Sequence, residues 1–145
     1  MSRVKFEVIG IPAPQGSKAA FKAKSGAVVT KESGGVKFAQ WRNAVSEAAM
    51  REAERHGCLD GELTLEAVFS FPMPASRPKK VRDEGRCPKT TSPDLSKLVR
   101  AIEDAMQAAG LIRDDARIAF LSASKWECVD GPYGVRIELR DGEDT

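Results

Sequence analysis

Apolar and polar residues alternate at the start of the chain, where Val4, Phe6 and Val8 are separated by Lys5 and Glu7. A period of two marks a half-buried strand. It ends at Gly10-Ile11-Pro12-Ala13-Pro14-Gln15-Gly16, where two prolines and two glycines break pairing. Residues 19–24 and 27–31 flank Ser25-Gly26 and predict a hairpin, and Ser33-Gly34-Gly35 is a second break. The period then lengthens. Phe38, Trp41, Val45, Ala48 and Ala49 recur at helical spacing within 36–56, and Gly57 supplies the stop.

Leu63, Leu65, Ala67, Phe69 and Phe71 alternate with polar neighbours and predict a second strand, closed by Pro72-Met73-Pro74. Residues 73–92 contain three prolines and six basic residues, which predicts an extended basic loop ordered by an anionic partner. A second helix starts at Ser92-Pro93-Asp94, where Ser92 or Asp94 can cap and proline suits the first turn. Leu95, Leu98, Val99, Ile102, Ala105, Met106 and Ala109 fill one face, within an arc of about 120°, and Gly110 closes the helix. Ser96, Lys97, Arg100, Glu103, Asp104 and Gln107 take the opposite side.

After Arg113-Asp114-Asp115, residues 116–128 read as a long β-rich run, Asp130-Gly131-Pro132-Tyr133-Gly134 as a turn, and Val135, Ile137 and Leu139 as a last strand. Residues 141–145 form a frayed tail. The order β, hairpin, α, β, α, β, β predicts an α+β fold: one mixed sheet with two helices packed against it, in two layers.

The chain has 145 residues, 41% of them apolar and 30% charged, with a net charge of +2. One domain over 1–145 with a single core follows, and a disordered chain, a fibre or a coiled-coil rod does not. No run of apolar residues is long enough to span a membrane, and the N-terminus lacks the apolar region of a signal peptide, so residence is expected in the cytoplasm. Cys58, Cys87 and Cys128 are too widely spaced for a zinc knuckle or redox motif and read as free thiols. His56 is the single histidine and falls at a helix C-terminus, which excludes histidine triads and His-rich metal sites by count. Hydrolytic chemistry must therefore rest on carboxylates, with a hard, oxygen-seeking cation.

Charge is segregated along the chain. Residues 1–43 carry a net of +6, 44–72 of −4, 73–100 of +5 and 101–145 of −5. Two basic blocks suit a surface that tracks phosphates, and a plain solvated surface accounts for the same charges. The most informative pairing is Asp94 at a helix entrance with Asp114-Asp115 at a strand entrance. If these carboxylates converge they need a cation such as Mg²⁺, with Mn²⁺ as an alternative, and Lys97 and Arg100 beside them can hold phosphates. The same residues also have structural readings. Asp94 can be a helix cap worth about 1 kcal/mol. Asp114-Asp115 can be a turn, and Arg100 can pair with Asp104 at i,i+4. Trp41 and Trp126 are candidates for stacking on bases, with Trp41 better read as core.

The run Pro93-Asp94-Leu95-Ser96-Lys97-Leu98-Val99-Arg100, then Glu103-Asp104-Ala105-Met106, then Arg113-Asp114-Asp115-Ala116-Arg117-Ile118, resembles the RusA family of Holliday-junction resolvases. Gly10-Ile11-Pro12-Ala13-Pro14-Gln15-Gly16-Ser17-Lys18 resembles that family's N-terminal strand and its basic follow-on. The resemblance implies Asp94 and Asp115 as catalytic, metal-binding carboxylates, assisted by Asp114, and Arg100 in the place of a functional lysine. It also implies a Mg²⁺-dependent homodimer that nicks two symmetric strands of four-way, branched DNA. Lys18, Arg77, Lys79, Lys80, Arg82, Lys97 and Arg100 are the expected DNA-binding residues, most of them in the basic loop 77–92. One position departs. Ser96 stands where the family carries a second motif aspartate, which leaves open a junction-binding protein with weakened or lost cleavage. A dimerising scaffold without a nucleic-acid role is the third reading.

Overall fold

The computed structural model describes residues 2–14, 18–22, 28–32 and 35–142, with the backbone alone for 18–22 and 28–32. Strand β1 (Ser2–Ile9) pairs antiparallel with the last strand, β7 (Gly134–Asp141), and β7 pairs antiparallel with the central β4 (Leu63–Pro72). On its other side β4 runs parallel to β6 (Ile118–Cys128), and the short β5 (Arg86–Pro88) pairs with the far end of β6. The sheet order is thus β1-β7-β4-β6-β5. A parallel pair needs a crossover, and helix α3 (Leu95–Ala108) lies on the connection from β4 to β6. Strands β2 (Lys18–Lys22) and β3 (Val28–Glu32) form the expected hairpin as a separate sheet, and its Ser25-Gly26 turn lies outside the described residues.

The predicted α+β, two-layer class is the observed one. Every second residue of β4, from Leu63 to Phe71, is buried, as are Val4, Val8, Val135, Ile137 and Leu139 on its neighbours. Against this face pack α3 and α1 (Gly35–His56), the latter through Phe38, Trp41, Val45 and Ala48. Burying one such side chain contributes about 1.5–3 kcal/mol, so the alternation itself fixes which sheet face is the core. The opposite face is polar and self-neutralised, with Arg3 bonded to Glu138 at 3.0 Å and Arg140 to Glu66 at 3.2 Å.

Gly110 ends α3 with φ +82°, a left-handed conformation that lets Leu111 donate its N–H back to the Met106 carbonyl at 3.0 Å. Leu59 and Leu111–Arg113 then bond to each other, which ties the exit of α1 to the exit of α3.

Three expectations need correction. Residues 73–92 are not an extended loop: they contain a short helix, α2 (Lys79–Asp83), and β5. The reason is Glu127, which is 1% exposed on the core face of β6 and accepts two hydrogen bonds from Arg77, at 2.7 and 2.9 Å. Lys89 adds its ammonium at 3.7 Å. A buried carboxylate needs such partners, so the basic segment is folded down onto it. Second, Pro93 precedes the capping position instead of opening the first turn, and Asp94 occupies the cap without a capping side-chain bond. Third, the tail is not frayed at its start, because Asp141 completes β7 and Gly142 donates to the Glu62 carbonyl at 2.9 Å. Residues 143–145 lie outside the described residues.

Candidate active site

On α3, Ser96, Arg100, Glu103 and Gln107 are spaced by four, three and four residues, which lines them up within an arc of about 60°. This polar stripe faces the outer half of β6. Leu95, Ser96, Val99, Arg100 and Glu103 of the helix, Asp115, and Leu121 and Ala123 of β6 enclose a cleft of about 740 Å³. Asp115 is held at one end because its backbone N–H donates to the Gln107 side-chain oxygen at 2.9 Å. Its neighbour Asp114 caps the 3-10 turn 115–117 by accepting from Ala116 N–H at 2.9 Å. Arg117 reaches Asp60 at 3.4 Å and ties that turn to the loop after α1.

The cleft is strongly acidic at this end. A hydrogen bond to Asp114 pushes the Asp115 carboxyl above its usual range, with burial and the Asp114 and Asp104 charges acting in the same direction. Asp114 is held low, first by the Ala116 N–H and then by the bond from Asp115. Burial raises Glu103, and the charges of Asp115 and Asp104 add to it while Arg100 opposes them. Carboxyls that repel in this way favour any cation placed among them.

The sequence-predicted residues distribute unevenly. Asp115, Arg100 and Ser96 share the cleft. Asp94 sits one residue before its rim, and its carboxylate contacts Lys97 at 3.7 Å. Arg100 is exposed and makes no ion pair with Asp104 within 4 Å, so the i,i+4 reading fails. Arg77 belongs to the Glu127 anchor, and the resulting contact raises its own pKa. Lys79 and Lys80 are exposed on α2, with Lys79 near Asp83 at 3.5 Å, and Arg82 donates to the Pro74 carbonyl at 3.0 Å. The Lys18 side chain lies outside the described residues. Trp41 is core at 2% exposure, and Trp126 carries the Arg86 guanidinium 4.4 Å from its ring centre. The three cysteines are free.

Sequence reasoning missed Glu103 and Glu127. The 96–100–103–107 spacing was a readable signal for Glu103, because helix geometry alone puts it on the stripe of Arg100. Glu127 had only its position parity on β6.

Hard oxygen donors facing an arginine, in an open cleft beside a sheet edge, make a site suited to an anionic phosphodiester. The chain belongs to the RusA family: the family model Endodeoxyribonuclease RusA matches residues 10–140, most of the sequence. It is therefore a member of a family of endodeoxyribonucleases, and DNA is the substrate class. Comparison with curated proteins finds no match.

Proposed function

We propose that this protein is a Mg²⁺-dependent, structure-selective endonuclease that cuts four-way DNA junctions, acting as a twofold dimer with one cleft for each of two symmetric strands. The observation that carries the reading is the cleft itself, where Arg100 and Ser96 on α3 share one space with Asp115 and Glu103. The donor set fits the cation. Among the described residues no three carboxylates converge as a ready-made metal cage, but Mg²⁺ is commonly held by one or two carboxylates, with water and substrate phosphate completing its shell. Asp115 and Glu103 would hold it, with Asp114 steadying Asp115; Asp94 at the helix entrance is the further ligand that the family resemblance implies. Bound there, Mg²⁺ supplies an activated water and neutralises charge developing on phosphorus.

The chain's own residues do the rest. Arg100 and Lys97 project from one helix toward the rim, where they engage phosphate oxygens and fix the strand relative to the acids. Leu95, Val99 and Leu121 form an apolar wall that lowers the local water content and strengthens those contacts. Gln107 holds Asp115 by its backbone, so the carboxyl is positioned before DNA arrives.

The test is nicking of a labelled four-way junction with Mg²⁺, against a linear duplex. Asp115→Asn and Asp94→Asn are each expected to lose at least about a hundredfold in rate while still binding the junction. Cutting at the parental rate by Asp115→Asn would overturn the assignment. Ser96 supports a second reading, because it lines the cleft where the family motif carries a carboxylate. On that reading the protein binds junctions in a salt-dependent way without nicking, and Ser96→Asp restores cutting.

A further inference from the structure

Lys125 lies near the far end of β6, just past Leu121 and Ala123 of the cleft wall. Side chains two apart along a strand share a face, and Lys125 pairs in register with Phe69, a fully buried residue of the core face. The lysine therefore projects toward the helices, on the side of the cleft, and is half-buried there. Its ammonium donates to the carbonyls of Thr91 and Pro93, both at 2.7 Å. An ammonium carries three donors and no acceptor, so one lysine can close on two carbonyls at once. The Lys125 backbone carbonyl accepts from Lys89 N–H at 3.0 Å. A single residue of β6 thus grips the stretch 89–93 by three bonds. That stretch lies between β5 and α3 and has no helix or strand of its own to satisfy its carbonyls.

The bond to Pro93 bears on Asp94. The Pro93 carbonyl belongs to the planar peptide that joins Pro93 to Asp94, so Lys125 fixes the plane in which Asp94 enters α3. Asp94 in turn accepts the first hydrogen bond of that helix, from Leu98 N–H at 3.1 Å. Among the described residues nothing comparable holds its side chain: Asp94 makes no capping bond, and its exposed carboxylate stands 3.7 Å from Lys97. Where that carboxylate lies is therefore decided by the backbone. The other end of the cleft works in the same way, since the Gln107 side chain accepts from the Asp115 backbone N–H at 2.9 Å.

We propose that Lys125 is a positioning residue that sets Asp94 at the cleft mouth for the cation, as Gln107 sets Asp115; this rests on the nuclease reading, in which Asp94 is a metal ligand. Removing a group that orients a metal ligand lowers metal affinity about 10–100-fold, because a carboxylate that swings spends little time in its working place. Direct contact with phosphate is the other use for a lysine beside such a site. The two carbonyl bonds speak against it, because they engage the ammonium within the protein.

The test compares the parent with Lys125→Met, which keeps the length of the stem and loses the donors, and Lys125→Arg, which keeps donors enough for both carbonyls. Amide exchange on the full chain, without metal or DNA, reads the hold itself. In Lys125→Met the Leu98 amide should exchange at least about tenfold faster, with those of Ile102 to Met106 unchanged. Nicking of the four-way junction reads the consequence. The Mg²⁺ concentration for half-maximal rate should rise at least about tenfold in Lys125→Met, and excess Mg²⁺ should restore the rate. Lys125→Arg should return that concentration to within about threefold of the parent, and junction affinity without metal should stay parental in both variants. Lys125→Met added to Asp94→Asn should cost nothing further in rate, since both act through one carboxylate. If Lys125→Met does not fold, Lys125→Gln, with its single amide group, is read by the same measurements. Parental exchange at Leu98, an unchanged Mg²⁺ requirement, or a loss of junction affinity in the lysine variant would overturn this proposal alone. A parent that does not nick would overturn it together with the nuclease reading.

Discussion

Replacing Glu127 by glutamine tests the idea that one buried acid folds the basic segment. The parent carboxylate accepts two guanidinium bonds from Arg77, at 2.7 and 2.9 Å, and lies 3.7 Å from the Lys89 ammonium. A charge-assisted hydrogen bond contributes about 1.5–3 kcal/mol, and breaking a fully buried pair costs about 3–5 kcal/mol. The Arg77 side chain is 33% exposed, so water rehydrates it once the countercharge is gone, and glutamine keeps one carbonyl acceptor. The net loss is then about 2 kcal/mol. For 145 residues the unfolding entropy is about 0.3 kcal/mol per degree, so the melting temperature should fall by about 6–7 °C at pH 7.

The pH dependence has a definite sign. Arg77 holds the Glu127 carboxyl below the usual glutamate range, so its stabilisation is complete above the unfolded value, near 4.3, and is lost as pH falls through the folded one. The gap between parent and variant should be flat from about pH 6 to 8 and close only below about pH 4. Thermal melts followed by circular dichroism measure both effects. A melting temperature within about 1 °C of the parent at pH 7, or a gap unchanged at pH 3, would refute the reasoning.

Four further outcomes are expected. Asp115→Asn should melt higher than the parent at pH 7, because the raised Asp115 pKa means that its ionised form opposes folding; that advantage should fade as pH falls and the parent carboxyl protonates. Mg²⁺ should raise the melting temperature of the parent and leave Asp115→Asn unmoved, and equal shifts in both would remove Asp115 from the proposed ligand set. Leu98→Ala, at a position with no exposure on the core face of α3, should cost about 3 kcal/mol in urea unfolding, and a loss below about 1 kcal/mol would mean the helix is not seated as described. Gly134→Ala should cost about 2 kcal/mol or more, since φ is +148° and a Cβ there collides with the Val8 carbonyl oxygen that β1 brings up.

The hydrophobic period determined much of this protein without help. Alternation at Leu63–Phe71 and the 3.6-residue stripe from Leu95 to Met106 fixed a strand and a helix, because burying the apolar side is the largest favourable contribution available to each. The breaks at glycine and proline set their ends, and the ordered motifs around Asp94, Arg100 and Asp115 marked the family. Tertiary structure decided everything that depends on contacts distant in sequence. Arg77 and Glu127 stand fifty residues apart, and no local signal shows that one anchors the other. Glu103 enters the cleft only because α3 lies against β6 and Gln107 holds Asp115 there. Residues 118–124 of β6 form an open edge because β5 is short, a fact about a neighbouring strand that the composition of β6 does not contain. Periodicity reports which side of an element is buried; which elements meet is settled by the packing of all of them at once.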